Sequence, residues 1–162
     1  MTIRPATPAD VAAILDFWNP VIGETTITFS PTLHTPESLS ALIAGRQAEG
    51  RAFLVAEEGG VVLGFVTYDQ FRKGLGYAHA MEHTIILAPA AKGRGFGRAL
   101  IAAAEDHARS AGAHLMVGGI SAENAPALAF HAAVGYAEAG RVREAGRKFD
   151  RWIDLVLMQK LL

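Results

Sequence analysis

Two hydrophobic patterns alternate along this chain, and together they predict a protein that contains both strands and helices. Short apolar runs such as residues 52–56 and 61–68 lie between turn-forming residues, which is typical of β-strands. Elsewhere apolar residues recur three or four positions apart, as at Leu100, Ile101 and Ala104, which is the period of an amphipathic helix. The pattern therefore predicts an α/β fold.

The same patterns give approximate element boundaries. Thr7 and Thr35 precede prolines and helical spacing, so each is predicted to cap a helix. Pro20 is predicted to end the first helix, and Gly135 the last. Residues 21–36 are predicted to be a structured loop. Strands are predicted at residues 3–6, 52–56, 61–68, 81–87, 115–117, 139–142 and 152–158. Helices are predicted at residues 8–19, from 36 onward, from the glycine-rich segment at 92–98 to 110, and at 126–134.

Composition excludes several classes of protein. The chain has 162 residues, of which 51% are hydrophobic and 19% charged, so a disordered chain is not expected. No linker or repeat divides it, which predicts one domain over residues 1–162 with a mixed sheet. A net charge of −1 argues against a general nucleic-acid binder. Without cysteine there is neither a disulfide framework nor a thiol nucleophile.

The location expected from the sequence is the cytoplasm. The first residues lack the apolar core of a signal peptide. No segment offers 18 consecutive apolar residues, so no membrane association is expected.

The most informative segment is Lys92–Arg98, which follows an apolar strand and leads directly into a helix. Its glycines, Gly93, Gly95 and Gly97, leave backbone amides uncovered by side chains. Free amides at a helix N-terminus, together with the helix dipole, favour an anion. Lys92, Arg94 and Arg98 add positive charge, and Phe96 lies among them. The segment therefore predicts a site for a pyrophosphate.

Two better-known phosphate motifs do not fit this segment. In a dinucleotide fingerprint the third glycine would lie one place later, where this chain has Arg98. A Walker loop requires Gly-Lys followed by Ser or Thr, which is absent. The competing interpretation is a glycine-rich turn that carries solvated charges.

A metalloprotease motif also occurs, but its context argues against zinc. His79–His83 reads H-x-x-E-H, a pattern that binds zinc when a helix brings both imidazoles onto one face. The residues that follow favour a strand, in which the two histidines would be about 13 Å apart at roughly 3.3 Å per residue. No metal is therefore expected.

At this point the chain resembles the GNAT superfamily of N-acyltransferases over nearly its whole length. The resemblance rests on the loop Lys92–Gly97, on Asn124, on Phe130-His131 and on Val134-Gly135-Tyr136, in that order. It implies a mostly antiparallel sheet of about seven strands flanked by about four helices. It also implies that the glycine loop binds the pyrophosphate of acetyl-CoA.

A narrower resemblance is to the phosphinothricin and methionine sulfoximine or sulfone N-acetyltransferases. It is carried by Asn19-Pro20, Thr28-Phe29, Arg72, Tyr77, Glu82-His83 and the tail Gly146–Asp154. It implies acetylation of the α-amino group of a small amino-acid analogue, and a homodimer. The chain departs from this group at Lys92, Ser30 and Ala80, so its amine preference stays open.

The resemblance assigns roles to particular residues. Acetyl-CoA would be bound by Ile85, Ile86, Leu87, Lys92, Gly93, Arg94, Gly95, Phe96, Gly97, Arg98, Asn124 and His131. Glu82 would deprotonate the amine, directly or through water, because burial raises a carboxyl pKa. His131 would protonate the leaving thiolate. Structural alternatives are an ion pair between Glu82 and Arg72, a helix-face histidine, and an N-cap role for Asn124.

The acceptor would be bound by a second group of residues. Arg72 could hold a carboxylate in a bidentate contact, although it could equally be a solvated loop charge. The remaining substrate-binding residues would be Phe29, Leu75, Gly76, Tyr77 and Glu82. Two functions remain as alternatives: acetylation of an aminoglycoside, polyamine or protein N-terminus, or a non-enzymatic acyl-CoA-binding sensor.

Overall fold

The computed structural model describes all 162 residues, and a seven-stranded sheet runs through the centre of the molecule. The strands are β1 (Thr2–Pro5), β2 (Phe53–Glu58), β3 (Val61–Gln70), β4 (Ala80–Leu87), β5 (Leu115–Ser121), β6 (Ala137–Lys148) and β7 (Arg151–Leu161). Their spatial order is β1-β2-β3-β4-β5-β7-β6. Every neighbouring pair is antiparallel except β4 and β5, which are parallel. The mixed, mostly antiparallel sheet expected from the sequence is confirmed.

Four α-helices cover the two faces of the sheet. They are α1 (Val11–Glu24), α2 (Pro36–Ala48), α3 (Phe96–Ser110) and α4 (Ala125–Ala133). Phe65 of β3 packs against Phe17 and Trp18 of α1, so α1 and its neighbour α2 cover one face. The adjacent strand residue, Gly64, faces Leu100 of α3 on the other face. No helix is both long and apolar enough to cross a bilayer.

Both faces of the sheet are buried, which accounts for the apolar character of the central strands. In β3 every residue from Val62 to Tyr68 is buried, because successive side chains point alternately toward α1 and α3. On the α3 side, Phe96 and Leu100 are buried and belong to the same hydrophobic core. The core is therefore divided into two layers by the sheet.

Pro20 does not end the first helix, contrary to the sequence prediction. It lies inside α1, which continues to Glu24, so residues 21–24 are helical rather than part of a loop. The extra turn buries Ile22 in the core, and that burial offsets the one hydrogen bond that proline cannot donate. The Thr25 hydroxyl donates to the Val21 carbonyl where the helix ends.

The last two strands are much longer than predicted. They were expected at residues 139–142 and 152–158, whereas β6 and β7 span twelve and eleven residues. Most of β6 is exposed and polar, so it lacks the apolar alternation that marks a strand. A register shift between Val142 and Gly146 also interrupts its period.

The feature that creates an opening in the sheet lies between β4 and β5. Their pairing covers only Ala80–His83 against Leu115–Gly118. Beyond that point β4 continues to Leu87 along β3, and β5 continues to Ser121 along β7. The two strands therefore separate, and a gap opens through the sheet. The H-x-x-E-H segment enters this strand, so it is not helical.

An ion-pair cluster joins β1 to the start of α1. The Arg4 guanidinium donates two hydrogen bonds of 2.8 Å to the buried Asp10 carboxylate and also binds Glu57 of β2. Asp10 in turn accepts from the Thr7 amide and hydroxyl. These bonds, above all that from Arg4, lower the pKa of Asp10 to about 2.

We predict that Asp10→Asn destabilises the protein at neutral pH and much less in acid. Because the pKa of Asp10 is lower in the folded state, its contribution is present above the unfolded-state value and is lost as pH falls toward 2. The expected loss in free energy of unfolding at pH 7 is about 2 kcal/mol. Urea titrations at pH 7 and at low pH measure it. An equal loss at both pH values would contradict the assignment.

Candidate active site

A cavity of about 250 Å³ occupies the gap between β4 and β5. It is lined from the α1 face by Trp18, Thr28, Phe29 and Leu155, from the α4 side by Asn124, Ala127 and His131, and from the strands by His83, Thr84, Ile85, Ile86, Gly118 and Gly119. Since residues from both faces of the sheet line it, the cavity gives access to both. We call it the cleft.

The glycine-rich loop has the backbone geometry of an anion site. Gly93 and Gly95 have φ angles of 73° and 84°, and Gly95 occupies the N-cap position of α3. A side chain at either glycine would meet no atom within 4 Å, so their amides border open space. The backbone amides without a hydrogen-bond acceptor are those of Gly93, Gly95, Phe96, Gly97 and Arg98. Five free amides at a helix start fit a diphosphate.

The third glycine of the loop has a packing role instead. A Cβ at Gly97 would lie 3.2 Å from the Phe130 ring of α4 and 3.3 Å from Leu87 of β4. Gly97 therefore allows α3, α4 and β4 to approach closely where the loop begins its helix. The three glycines therefore differ in role: Gly97 is required for packing, whereas Gly93 and Gly95 border open space.

The three cations predicted to flank the loop also differ. Arg94 pairs with Glu58 of the β2–β3 hairpin, and its guanidinium lies over the Phe96 ring. Its charge is therefore already compensated. Lys92 and Arg98 form no ion pair with a carboxylate, and they are the cations that remain available to a bound anion.

Glu82 lies in β4 on the α1 face of the sheet. Its Oε1 would be 2.7 Å from a Cβ at Gly119, so it lies across the first residue of β5 beyond the paired segment. Burial raises its pKa, and no cation is near enough to oppose that effect. The alternative ion pair with Arg72 is wrong, because the Arg72 guanidinium lies over the Phe71 ring instead. Glu82 is thus a half-buried carboxyl group with a raised proton affinity.

His131 lies on the opposite face, where it pairs with a second histidine. Its Nε2 is 2.9 Å from Nε2 of His83 in β4, and the two side chains are almost completely buried. Its Nδ1 is 2.7 Å from the carbonyl oxygen of Ala127, one helical turn earlier. Tyr136 packs edge-on against both imidazoles. Glu82 and His131 are therefore separated by the plane of the sheet and meet only through the cleft.

The hydrogen bonds determine which ring nitrogen of each histidine carries the proton when both rings are neutral. The Ala127 carbonyl can only accept, so Nδ1 of His131 carries the proton and its Nε2 accepts from Nε2–H of His83. Burial and the neighbouring ring lower the pKa of His83 to about 3, and burial also lowers the pKa of His131. Both rings are neutral at pH 7, and in that form His131 directs no N–H into the cleft.

Asn124 has the predicted N-cap role and also lines the cleft. Its Oδ1 accepts a 3.2 Å hydrogen bond from the Ala127 amide and caps α4. The same residue lines the cleft. Its side-chain NH₂ group makes no bond within the protein and is therefore free for a ligand.

Of the residues predicted to bind the acceptor, the structure brings only Phe29 to the cleft lining. Arg72, Leu75, Gly76 and Tyr77 belong to the exposed connection between β3 and β4, outside the lining. Leu75 is 95% exposed. The expectation that these four line the pocket is not met within one copy of the chain.

Sequence reasoning missed several lining residues, and only some of them carried a signal. Gly118 and Gly119 form a glycine doublet inside a strand, which indicates close approach of other groups: a Cβ at Gly118 would lie 3.0 Å from the His83 ring. Trp18 and Leu155 read as ordinary core positions. His83 belongs to the zinc motif and to the residues that carry the narrower resemblance, but neither pattern predicts its pairing with His131.

Comparisons with known proteins place this geometry in context. Residues 19–136 match the model of the acetyltransferase (GNAT) family. The chain is 36% identical over 159 residues to the L-methionine sulfoximine/L-methionine sulfone acetyltransferase of Salmonella typhimurium, covering 98% of this chain and 93% of that protein.

Two solved structures are also very similar. The ribosomal-protein-alanine N-acetyltransferase from Brucella melitensis matches with a TM-score of 0.96 and 37% identity over all of both chains. A phosphinothricin acetyltransferase from Sinorhizobium meliloti, in complex with acetyl-CoA, matches with a TM-score of 0.93 and 27% identity, over 99% of this chain and 88% of that one.

We predict that Gly95→Val abolishes acetyl-CoA binding. A β-branched residue is strained at a φ of 84°, and its side chain would cover the free amides. Calorimetry should show an affinity loss of about 100-fold or more, the equivalent of two lost charge-assisted hydrogen bonds. Gly112→Val is the matched control, because Gly112 follows the other end of α3 with a φ of 86° and equally open space. Unchanged affinity at position 95 would remove the anion site.

Proposed function

The chain belongs to the acetyltransferase (GNAT) family, and on that basis we propose that it acetylates the α-amino group of a small amino-acid analogue. It is an N-acetyltransferase that uses acetyl-CoA as co-substrate. The acceptor class is that of methionine sulfone, methionine sulfoximine and phosphinothricin, the compounds named for its relatives. The observation that carries the proposal is the cleft through the sheet, which Phe29 lines from the α1 face and Asn124 and His131 line from the α4 side. The free amides of the glycine loop and the half-buried carboxyl of Glu82 add to it.

Acetyl-CoA supplies an activated acyl group, and the residues present fit it. The free amides of the glycine loop, with Lys92 and Arg98, would hold the diphosphate. Beyond His83, β4 has no partner in β5, so alternate backbone groups in Ile85–Leu87 face the gap. An amide there can bind the pantetheine arm or donate to the thioester oxygen.

Glu82 is the group that removes the first proton from the acceptor ammonium. It lies on the α1 face, where the acceptor would enter past Phe29. Because burial raises its pKa, the carboxylate is a stronger base than a solvated one. It acts on the amine directly or through one water.

His131 lines the cleft on the α4 side, the side assigned to the sulfur atom of acetyl-CoA. The nitrogen loses two protons during the reaction: one passes to Glu82 and then to solvent, and one ends on the sulfur as the C–S bond breaks. Since neutral His131 keeps its only proton on Nδ1, it must first receive a proton at Nε2, where His83 now donates. We infer that it carries this second proton from nitrogen to sulfur while the C–N bond forms.

The assembly that we propose is a homodimer. The β6–β7 hairpin exposes Phe149 and Trp152, and the β3–β4 connection exposes Leu75 and Tyr77. These are two separate groups, because the hairpin turn lies beyond the Ser121 end of β5 and the β3–β4 connection lies beyond its Leu115 end. Exposed apolar side chains of this size are often covered by a partner. A second copy would bury them and could bring the β3–β4 connection into an acceptor site. Sedimentation equilibrium at micromolar concentration tests this, and a monomer would contradict it.

A second candidate acceptor is a peptide N-terminus. The solved structure from Brucella melitensis, which is similar over its whole length, is named for acetylation of a ribosomal protein's alanine. An N-terminal α-amine has the same attacking group as an amino acid but lacks the free α-carboxylate. The two candidates therefore differ in the need for a cation at the acceptor end.

We predict that Glu82→Gln lowers kcat by about 100-fold or more while acetyl-CoA affinity stays within a few-fold of wild type. The amide keeps the shape of the side chain but cannot accept the amine proton. In the wild type kcat/KM should rise with pH through the raised pKa of Glu82, and this limb should vanish in the variant. An equal loss of cofactor affinity would contradict the assignment.

The proposed function is tested by release of free thiol from acetyl-CoA with a panel of amines. We expect methionine sulfone, methionine sulfoximine and phosphinothricin to be acetylated at least ten times more efficiently than an aminoglycoside, a polyamine or an alanine-ended peptide, since one well-matched polar group discriminates by at least that factor. Preference for the peptide would favour the second candidate. Acetyl-CoA binding without thiol release from any amine would indicate a sensor.

A further inference from the structure

The segment between α1 and α2 carries the side chains at the α1-face entrance to the cleft, yet it contains no helix or strand. Ile27, Thr28 and Phe29 all line the cleft. Residues 25–35 are bends and extended chain. A segment without regular structure must be positioned by contacts with other elements. Thr26 bonds to Glu123 and His34 to Asn19 of α1, while the contacts at Thr28 and Phe29 come from the β6–β7 hairpin.

The first contact is steric. The Phe29 ring lies directly on the backbone of Gly146 in β6: a Cβ at Gly146 would be only 2.5 Å from Cγ of that ring. Even the smallest side chain at this position would displace Phe29. Gly146 does not have a positive φ, so its role here is to leave space for the ring and not to permit an unusual backbone.

The second contact is a buried cation. Lys148, two residues further along the same face of β6, is only 6% exposed. Its Nζ donates to the Thr28 carbonyl at 2.8 Å and to the Ile22 carbonyl in the last turn of α1. No carboxylate lies near enough to pair with it, so the two carbonyls and the negative end of the helix dipole compensate its charge. Burial lowers the pKa of this amine.

A bulge in β6 directs the hairpin toward these two contacts. The register shift between Val142 and Gly146 inserts extra residues into β6, and Glu144 there has a φ of 53°. A bulge of this kind re-aims the side chains that follow it. Both Gly146 and Lys148 are buried, in a strand whose earlier residues are mostly exposed. The bulge thus turns this end of β6 toward the α1–α2 segment.

We propose that Gly146 and Lys148 are positioning residues of the acceptor site: they set the place of Phe29 at the cleft and thereby determine which acceptor side chains fit. The proposal rests on the proposed function, since it assigns the α1-face entrance to the acceptor. Neither residue touches the reacting atoms. Their effect on the reaction passes through Phe29 and Thr28.

The positioning role of Gly146 is tested with Gly146→Ala, using Gly140→Ala as the matched control. Gly140 lies in the same strand, and a Cβ there would meet no atom within 4 Å. We expect Gly146→Ala to raise KM for methionine sulfone about tenfold, the usual scale of an overpacked contact, with KM for acetyl-CoA unchanged. Equal behaviour of the two variants, or an equal rise in both KM values, would overturn the proposal.

A double-variant cycle identifies Phe29 as the route of the effect. In a Phe29→Ala background the ring is absent, so adding Gly146→Ala should leave KM for the acceptor unchanged. If Gly146→Ala still raised KM about tenfold in that background, Phe29 would not be the residue through which Gly146 acts.

The positioning role of Lys148 is tested with Lys148→Met and Lys148→Arg. The methionine variant cannot donate to the Ile22 and Thr28 carbonyls, so amide hydrogen exchange over residues 22–29, which include the hydrogen-bonded last turn of α1, should accelerate at least tenfold relative to exchange in β3. Arginine keeps the donors and should restore slow exchange at least in part. Unaltered exchange in Lys148→Met would overturn the positioning role of Lys148. If Lys148→Met does not fold, the same measurement on Gly146→Ala decides.

Hydrogen exchange also separates this inference from the proposed function. If the wild type acetylates no amine, the proposed function fails, while faster exchange at 22–29 in Gly146→Ala would still support the positioning contacts. If the wild type is active but neither acceptor KM nor exchange responds to Gly146→Ala, the function stands and the positioning role is wrong.

Discussion

The separation of β4 from β5 is the constraint on which the rest of the structure depends. Two parallel strands pair up to His83 and Gly118 and then part, although each continues along its other neighbour. A sheet that pairs throughout would bury its backbone groups and leave no route from one face to the other. Here the unpaired edges provide both a passage and the hydrogen-bonding groups to line it.

That passage explains why the chemical groups are arranged as they are. Glu82 points to the α1 face beside Gly119, which lines the cleft, and His131 lines it from the α4 side, so under the proposed function the two groups would act from opposite faces of the sheet. Because the surroundings are largely apolar, the carboxyl group gains proton affinity and the imidazoles lose it. The same burial therefore prepares a base at one end and a neutral ring at the other. The glycine doublet Gly118-Gly119 makes room for both side chains.

The two segments at the rim of the cleft are held in place by other parts of the fold. The glycine loop takes its geometry from the start of α3, whereas the segment with Phe29 depends on a distant hairpin that packs against it. Lys148 joins positions that are 120 residues or more apart in the chain. Under the proposed function, the affinity for the co-substrate and the preference for an acceptor would be set by different parts of the fold, so substitutions could alter one without the other.

The sequence by itself determined the fold class, because apolar periodicity and capping residues are local patterns. The family followed from the resemblance of its ordered motifs, and the glycines next to a helix start predicted an anion site. The sequence also singled out Glu82, Asn124 and His131. What it could not decide was which residues meet across the sheet. The pairing of His83 with His131, the exclusion of the β3–β4 connection from the cleft and the continuation of α1 through Pro20 all follow from packing between distant segments. Such contacts form only when the chain has closed on itself, and no local pattern encodes their distances.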